Sequence, residues 1–296
     1  MRSNFEATRA RLAALGLALL WPAGGSWAQL APPNETGVTM GHVHYYVQDV
    51  EAHKRFWTAL GATPIKVGAT DVMKFPEILI FLTRADANGA TEGSVVSHVA
   101  FKVPDLGPVL ASLENAGQKV PPRPGSTGAP DVQMVRTPDG DAVEIFKGNI
   151  DLIKFTPDPG HGDPAAHRHN RPMSGRIATH HIHLYVPEGA DERARDWYVS
   201  TFGAIPGIRF RYKAADLPGM TMNFLGQPAA LAPTKGRSLD HIGFEVRGLE
   251  AFCKTLEAKG VKLDVPFTRL PNGLAFAFLT DPWGTYIELT EGLTGL

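Results

Sequence analysis

Four short stretches of the chain alternate apolar and polar residues with a period of two: Gly41 to Val47, Ser97 to Val103, His180 to Val186 and Asp240 to Val246. This is the pattern of a β-strand that turns one face to a core. His42, His98, His181 and His241 stand at the same place in the four stretches. Alternation puts His42, His44 and Tyr46 on one face and Val43, Tyr45 and Val47 on the other. The third stretch repeats this as His181, His183 and Tyr185 against Ile182, Leu184 and Val186. The second and fourth give His98, Ala100 and Lys102, and His241, Gly243 and Glu245. One face is therefore polar in every stretch.

After each strand the period changes to that of a helix that ends at glycine. In the first unit Asp49 can cap the start, Ala52, Phe56, Trp57 and Leu60 fall on one face, and Gly61 can take the closing left-handed position. The second helix is predicted from about Leu106 to Ala116 before Gly117, the fourth from about Leu249 to Lys259 before Gly260. Nineteen residues separate His42 from Gly61, His98 from Gly117 and His241 from Gly260. The third interval, His181 to Gly203, is 22, because Glu188-Gly189-Ala190-Asp191 delays the helix that carries Trp197 and Tyr198. Further strands are predicted at Ile78 to Leu82, Val132 to Val135, Ala142 to Phe146, Thr221 to Leu225, Leu274 to Leu279 and Tyr286 to Leu289. A unit this short hides only one face of its sheet and needs a neighbour, so the units are expected in pairs.

The pairs are repeated in turn. His42 to His181 spans 139 residues, His98 to His241 spans 143 and Glu144 to Glu288 spans 144, and Pro138 to Glu144 matches Pro282 to Glu288 in turn and strand. The expected organisation is an N-terminal domain over 38–150, a linker over 151–176 rich in proline, histidine and glycine, and a C-terminal domain over 177–296. His161, His167 and His169 in the linker read as exposed loop histidines.

Composition narrows the class. With 296 residues, a formal charge of −1 and 43% hydrophobic residues, the chain reads as a globular protein of about two domain-sized units. No basic stripe is present to hold a nucleic acid. Arg2, Arg9 and Arg11 precede an apolar run from Leu12 to Trp21, and Ser26-Trp27-Ala28 forms a small-x-small cleavage signal. The run is shorter than the roughly 20 residues that span a bilayer, so residues 1–28 are expected to be a secretory signal peptide. The mature protein would then be periplasmic or secreted and not held in a membrane. Cys253 is the only cysteine, which excludes an intramolecular disulfide. Beside Phe252 and Leu256 it reads as a small buried hydrophobe.

The chemistry lies on the polar faces. Two neutral imidazoles and a carboxylate are suitable donors for a borderline divalent metal, and three protein ligands leave positions for a substrate. Apolar flanks aim Glu144 and Glu288 away from the core. Taking each half of the chain as a unit, the candidate metal sets are His181, His241 and Glu288, and His42, His98 and Glu144. His44 and His183, one pleat further along, are candidates for a proton-transfer base or a partner of the ligands. Tyr185, Arg209, Arg211 and Arg269 are candidate substrate contacts, arginine's forked donors being suited to a carboxylate.

Three segments carry a resemblance: Leu239 to Val246, Leu256-Glu257-Ala258-Lys259-Gly260-Val261, and Asp281-Pro282-Trp283-Gly284-Thr285-Tyr286-Ile287-Glu288. From about Val38 onward the chain resembles the vicinal oxygen chelate superfamily of glyoxalase I, bleomycin-resistance proteins and type I extradiol dioxygenases. The resemblance implies an α+β fold of four βαβββ modules paired into two incomplete barrels around a divalent metal. It also implies metal ligands at His181, His241 and Glu288, the positions used in the dioxygenase branch. His42, His98 and Glu144 fit the same pattern in the first half, a departure from the many ring-cleaving enzymes whose first domain is inactive, and the number of metal sites stays open. A dioxygenase using Fe(II), rather than Zn(II), Mn(II) or Ni(II), is the favoured expectation, with a small oxygenated organic molecule as partner; pairing as a homodimer is left open. Two departures weigh on the reaction. Phe278 stands where ring-cleaving enzymes have a tyrosine, and Leu263 to Ala277 contains no histidine. Ile78 to Leu82 and Thr221 to Leu225 lack the additional glutamate of glyoxalases, Asn223 being the nearest polar substitute. A glyoxalase-like lyase or isomerase, and a non-catalytic binding protein, are the alternatives.

Overall fold

A computed structural model describes residues 30–122, 131–148, 150, 153–173 and 175–296. The expected signal peptide lies outside the described residues. Each module opens with its histidine strand, β1 (Val38–Val47), β5 (Val96–Val103), β9 (Ala178–Pro187) or β13 (Leu239–Val246). A helix follows: α1 (Val50–Leu60), α2 (Leu106–Asn115), α3 (Asp191–Phe202) or α4 (Leu249–Ala258). The Asp49 side chain accepts from the Ala52 N–H at 3.0 Å, and Gly61 closes α1 at φ 122°, a conformation that a side chain would strain.

The remaining strands are β2 (Thr63–Val67), β3 (Thr70–Phe75) and β4 (Ile78–Arg84) in the first module, and β6 (Val132–Arg136) and β7 (Ala142–Lys147) in the second. The linker supplies β8 (Phe155–Pro157). The third module adds β10 (Ile205–Arg209), β11 (Tyr212–Leu217) and β12 (Met220–Gln227), the fourth β14 (Leu263–Arg269), β15 (Ala275–Thr280) and β16 (Tyr286–Glu291). The sequence pattern did not single out β2, β3, β10, β11 or β14. Several of these carry polar or half-exposed residues on both faces, so alternation is weak.

Among the described residues two eight-stranded sheets result, ordered β14-β15-β16-β13-β1-β4-β3-β2 and β6-β7-β5-β9-β12-β11-β10-β8. Among the described residues the outer strands of neither order pair with each other, so the curved sheets stay open. The modules do not pair as expected within each half of the chain. β1 runs antiparallel to β13, and β5 antiparallel to β9. The first module therefore shares a sheet with the fourth, and the second with the third. Modules of the same half meet instead through their apolar faces: Trp57 lies 6.3 Å from Phe101 between ring centroids, and Phe202 4.8 Å from Phe244. One hydrophobic core runs through all four modules.

The linker differs from a featureless loop as well. β8 pairs with β10 and extends the second sheet. His169 is buried beside Thr221, with Nε2 and Oγ1 2.8 Å apart. Asp216 accepts from His167 Nε2 at 2.9 Å and from Arg168 Nη1 at 2.8 Å. A buried carboxylate needs such partners, and that need draws two of the three linker histidines inward; His161 stays exposed. Cys253 is buried, and burial pushes its thiol up to about 11. No helix among the described residues is long and apolar enough to cross a membrane.

Candidate metal centres

The seams β1/β13 and β5/β9 each join two histidine strands, and the expected ligands gather there in regrouped sets. At the first seam Glu288 Oε2 accepts from His42 Nε2 at 2.9 Å and from His241 Nε2 at 3.0 Å. At the second, Glu144 Oε2 is 3.2 Å from His181 Nε2 and 3.5 Å from His98 Nε2. The sets drawn from the halves of the chain are thus replaced: His181 sits with His98 and Glu144, while His42 sits with His241 and Glu288. The cause is topological, since module pairing crosses between the halves.

Donor spacing suits a metal. Ligands at about 2.1 Å from one cation are about 2.9 to 3.4 Å apart in octahedral or tetrahedral geometry, which brackets most of these separations. Donor atoms of His42, His241 and Glu288 all lie within 4.8 Å of one another, as do those of His98, His181 and His183. At the second seam, Nε2 of His98, His181 and His183 and Oε2 of Glu144 are buried without a hydrogen-bond partner. Orphaned buried donors of this kind are costly unless something binds them. Both seams therefore fit a divalent cation.

Local backbone irregularity aims the ligands. Each of the four metal-facing histidines follows an extra residue in its strand pair: Gly41 before His42, Asp240 before His241, Ser97 before His98 and His180 before His181. In a regular strand neighbouring side chains point to opposite faces; a bulge brings them together. Three of the four extra residues then contact the next ring at Nδ1. Asp240 Oδ1 accepts from His241 Nδ1 at 2.6 Å, Ser97 Oγ lies 2.9 Å from His98 Nδ1, and His180 Nδ1 lies 2.9 Å from His181 Nδ1. His180 Nε2 donates to the Ile153 carbonyl at 3.0 Å, so its Nδ1 accepts from His181. That tautomer leaves the His181 Nε2 lone pair facing the centre. Gly41 offers no side chain, and His42 Nδ1 has no hydrogen-bond partner.

Electrostatics differ between the two seams. Burial opposes a charge on His241, yet hydrogen bonds to Asp240 and Glu288 outweigh it and raise its pKa. Burial would raise Glu288, but His241 and His42 hold it well below the usual carboxylate range. At the second seam burial dominates, and Arg209 adds to it, so His181 and His183 lie well below the ordinary imidazole value. Neutral imidazole is the form that binds metal.

The other expected residues divide. His44 is 2.8 Å from Thr83 Oγ1, and burial, with His241 and His42, pushes its pKa down to about 3. His183 directly opposes His98 across the seam. Tyr185 lies beside His183, with ring centroids 5.5 Å apart. Arg269 pairs with Glu291 at 2.9 Å on the surface, and Arg211 is exposed. Arg209 is buried instead, Nη2 lying 4.0 Å from Glu144 Oε2. Phe278 packs edge-on to His241 at 5.3 Å. Sequence reasoning did not find the roles of Ser97, His180 and Asp240. The one available signal was their position directly before the repeated histidine, but strand alternation turned them the wrong way.

The family model for the glyoxalase/bleomycin resistance protein/dioxygenase superfamily matches residues 39–145 and 176–289. Among solved structures, glyoxalase I from Zea mays is similar at 17% identity, with 87% of this chain and 94% of that one covered and a TM-score of 0.59. A proposed dioxygenase from Bacillus subtilis is similar at 14% identity, with 89% and 86% covered and a TM-score of 0.56. At such identities the likeness establishes the fold. A search of curated proteins finds no match.

Proposed function

Because the chain belongs to the glyoxalase/bleomycin resistance protein/dioxygenase superfamily, we propose that it is a divalent-metal-dependent enzyme acting on a small substrate through two neighbouring oxygen atoms, with one centre at each seam. The carrying observation is the convergence of His42, His241 and Glu288, and of His98, His181 and His183, each within 4.8 Å. His42, His241 and Glu288 would hold one cation; His98, His181 and Glu144 would hold the other, with His183 beside them. A divalent cation supplies Lewis-acid stabilisation of negative charge that develops on substrate oxygen. The protein supplies imidazoles aimed at each seam, with Nδ1 of His241 held by Asp240 and Nδ1 of His181 held by His180.

Of the reactions open to such a centre, Fe(II)-dependent oxygenation is favoured by the two-histidine, one-carboxylate set. Lyase or isomerase chemistry is the second reading, supported by His183, a buried ring whose Nε2 has no hydrogen-bond partner. His44 is the other candidate base; burial pushes its pKa down to about 3 and lowers that of His183 as well. We further propose that residues 1–28 direct export to the periplasm or beyond, and that the mature chain starts at Gln29, which intact-mass measurement checks.

Metal analysis of the purified protein tests the main reading. About two equivalents of metal per chain are expected after loading with Fe(II), Zn(II), Mn(II) or Ni(II). His241→Ala should remove about one of them, and His161→Ala none. Fewer than about 0.1 equivalents, with no gain on adding any of these ions, would sink the enzyme reading in favour of metal-free binding. Oxygen uptake with catechols, against turnover of thiol adducts of 1,2-dicarbonyls, separates oxygenase from lyase.

A further inference from the structure

The two centres are internal copies, and the copies differ around the ligands. Odd modules align with an offset of 142 beyond their helices: Val67 pairs with Thr70, and Arg209 with Tyr212, at the ends of equivalent hairpins. Val72 pairs with Phe81 where Ala214 pairs with Asn223. Thus Val67 and Phe81 at the first centre are replaced by Arg209 and Asn223 at the second. Asn223 lies beside His183 in the parallel register of β9 and β12, so the two side chains share a face. It is fully buried, and neither its Nδ2 nor its Oδ1 has a hydrogen-bond partner. Arg209 Nε is likewise buried and unpartnered, and its guanidinium lies 5.8 Å from the Tyr212 ring and 6.0 Å from the Phe146 ring.

Charge sharpens the difference. At the first centre a divalent cation would face two carboxylates, Glu288 and the Asp240 that holds His241, and formal charge would cancel. At the second, the partners of the imidazoles are Ser97 and His180, and Glu144 is the carboxylate. A divalent cation together with Arg209 would then leave two positive charges in a buried site. An uncompensated buried charge is expensive. The missing negative charge has to arrive with the ligand.

Resting on the metal reading above, we propose that the second centre selects an anionic vicinal-oxygen ligand, a 2-oxo or 2-hydroxy carboxylate, with Arg209 gripping the carboxylate and Asn223 bonding the neighbouring oxygen. The first centre, where Phe81 lies 5.0 Å from the His42 ring and Val67 holds the hairpin position of Arg209, has no such preference. A guanidinium donates to a carboxylate through two parallel N–H bonds, and the Asn223 amide offers either a donor or an acceptor to a carbonyl or hydroxyl oxygen. Arg209 is therefore a specificity-determining residue of one centre and has no counterpart in the other.

Oxalate is the probe. It is titrated calorimetrically into metal-loaded protein from which free metal has been removed, using the wild type, Arg209→Met, Asn223→Leu and His241→Ala. One oxalate per chain is expected for the wild type and unchanged for His241→Ala. Arg209→Met should keep its metal content and weaken oxalate about 10- to 100-fold. Asn223→Leu should weaken it less, and serves as the reading if Arg209→Met does not fold. Equal oxalate affinity in wild type and the folded variant overturns the proposal, as does loss of oxalate binding in His241→Ala, or loss of metal from Arg209→Met. Failure of the wild type to take up metal overturns the underlying metal reading, which the metal content reports before any oxalate is added.

Discussion

A β-carbon added at Gly243 would lie 2.0 Å from His42 Cε1 and 2.2 Å from its Nδ1. The His42 ring thus occupies the space that any other residue at 243 would fill. The equivalent position across the second seam, opposite His181, is Ala100, so glycine is required at one centre alone. Gly243→Ala is expected to push the His42 ring aside, remove about one metal equivalent of two, and leave the second centre loaded. Retention of both equivalents, measured by elemental analysis on folded protein, would contradict this placement. The bulge residues act at the same scale. The sequence pattern placed the rings of His42, His98, His181 and His241 on a polar face. The Nδ1 partners of His98, His181 and His241 depended on one extra residue in each strand of the two ladders, which period-two reasoning does not foresee.

Elements are held together by the turns that precede the glutamate strands. Asp281, in the turn before β16, accepts from the Tyr198 hydroxyl of α3 at 3.0 Å. Asp139, in the matching turn before β7, accepts from His53 Nε2 of α1 at 3.1 Å. Each even module thereby clasps the helix of the odd module just before it in the chain, while its strands pair elsewhere. Asp281 also accepts from the N–H groups of Trp283 and Thr285, so it keeps partners if Tyr198 is changed. Tyr198→Phe should cost about 1 kcal/mol, a fall of about 2–4 °C in Tm, with no loss of metal. A change in metal content without a change in Tm would show that this clasp shapes the centres instead. The equal histidine-to-glycine intervals made the helices and their order readable. The clasp could not be read, because its partners are 83 residues apart and carry no shared pattern.

For the whole molecule, a stack of buried histidines behind the second seam couples stability to pH. His169 and His180 lie 3.8 Å apart between ring centroids, and His167 is 5.2 Å from His169. Burial, with neighbouring His180 and Arg168, drives the pKa of His169 well below its ordinary value; burial and Arg209 do the same for His180. A histidine kept neutral in the fold takes up a proton on unfolding once pH falls below about 6.5. Stability of the metal-free protein should therefore decline as pH is lowered from about 7 toward 5, and urea midpoints across that range measure it. His169→Gln should flatten the decline. A midpoint that rises on acidification would refute the assignment of neutral rings.

The sequence by itself determined the local units. Period-two and helical periods placed each histidine strand and each helix, and repetition every 139 to 144 residues marked a duplicated chain. The histidines and glutamates at the two seams were readable because each is fixed by the alternation of its own strand. Which strands meet was decided only by the tertiary structure. The His42–Glu288 and His181–Glu144 contacts depend on β1 pairing with β13 and β5 with β9. The alternation within one strand specifies its faces, whereas several strands of the same pattern can satisfy the same edge. Packing of all four modules into one core selects among them.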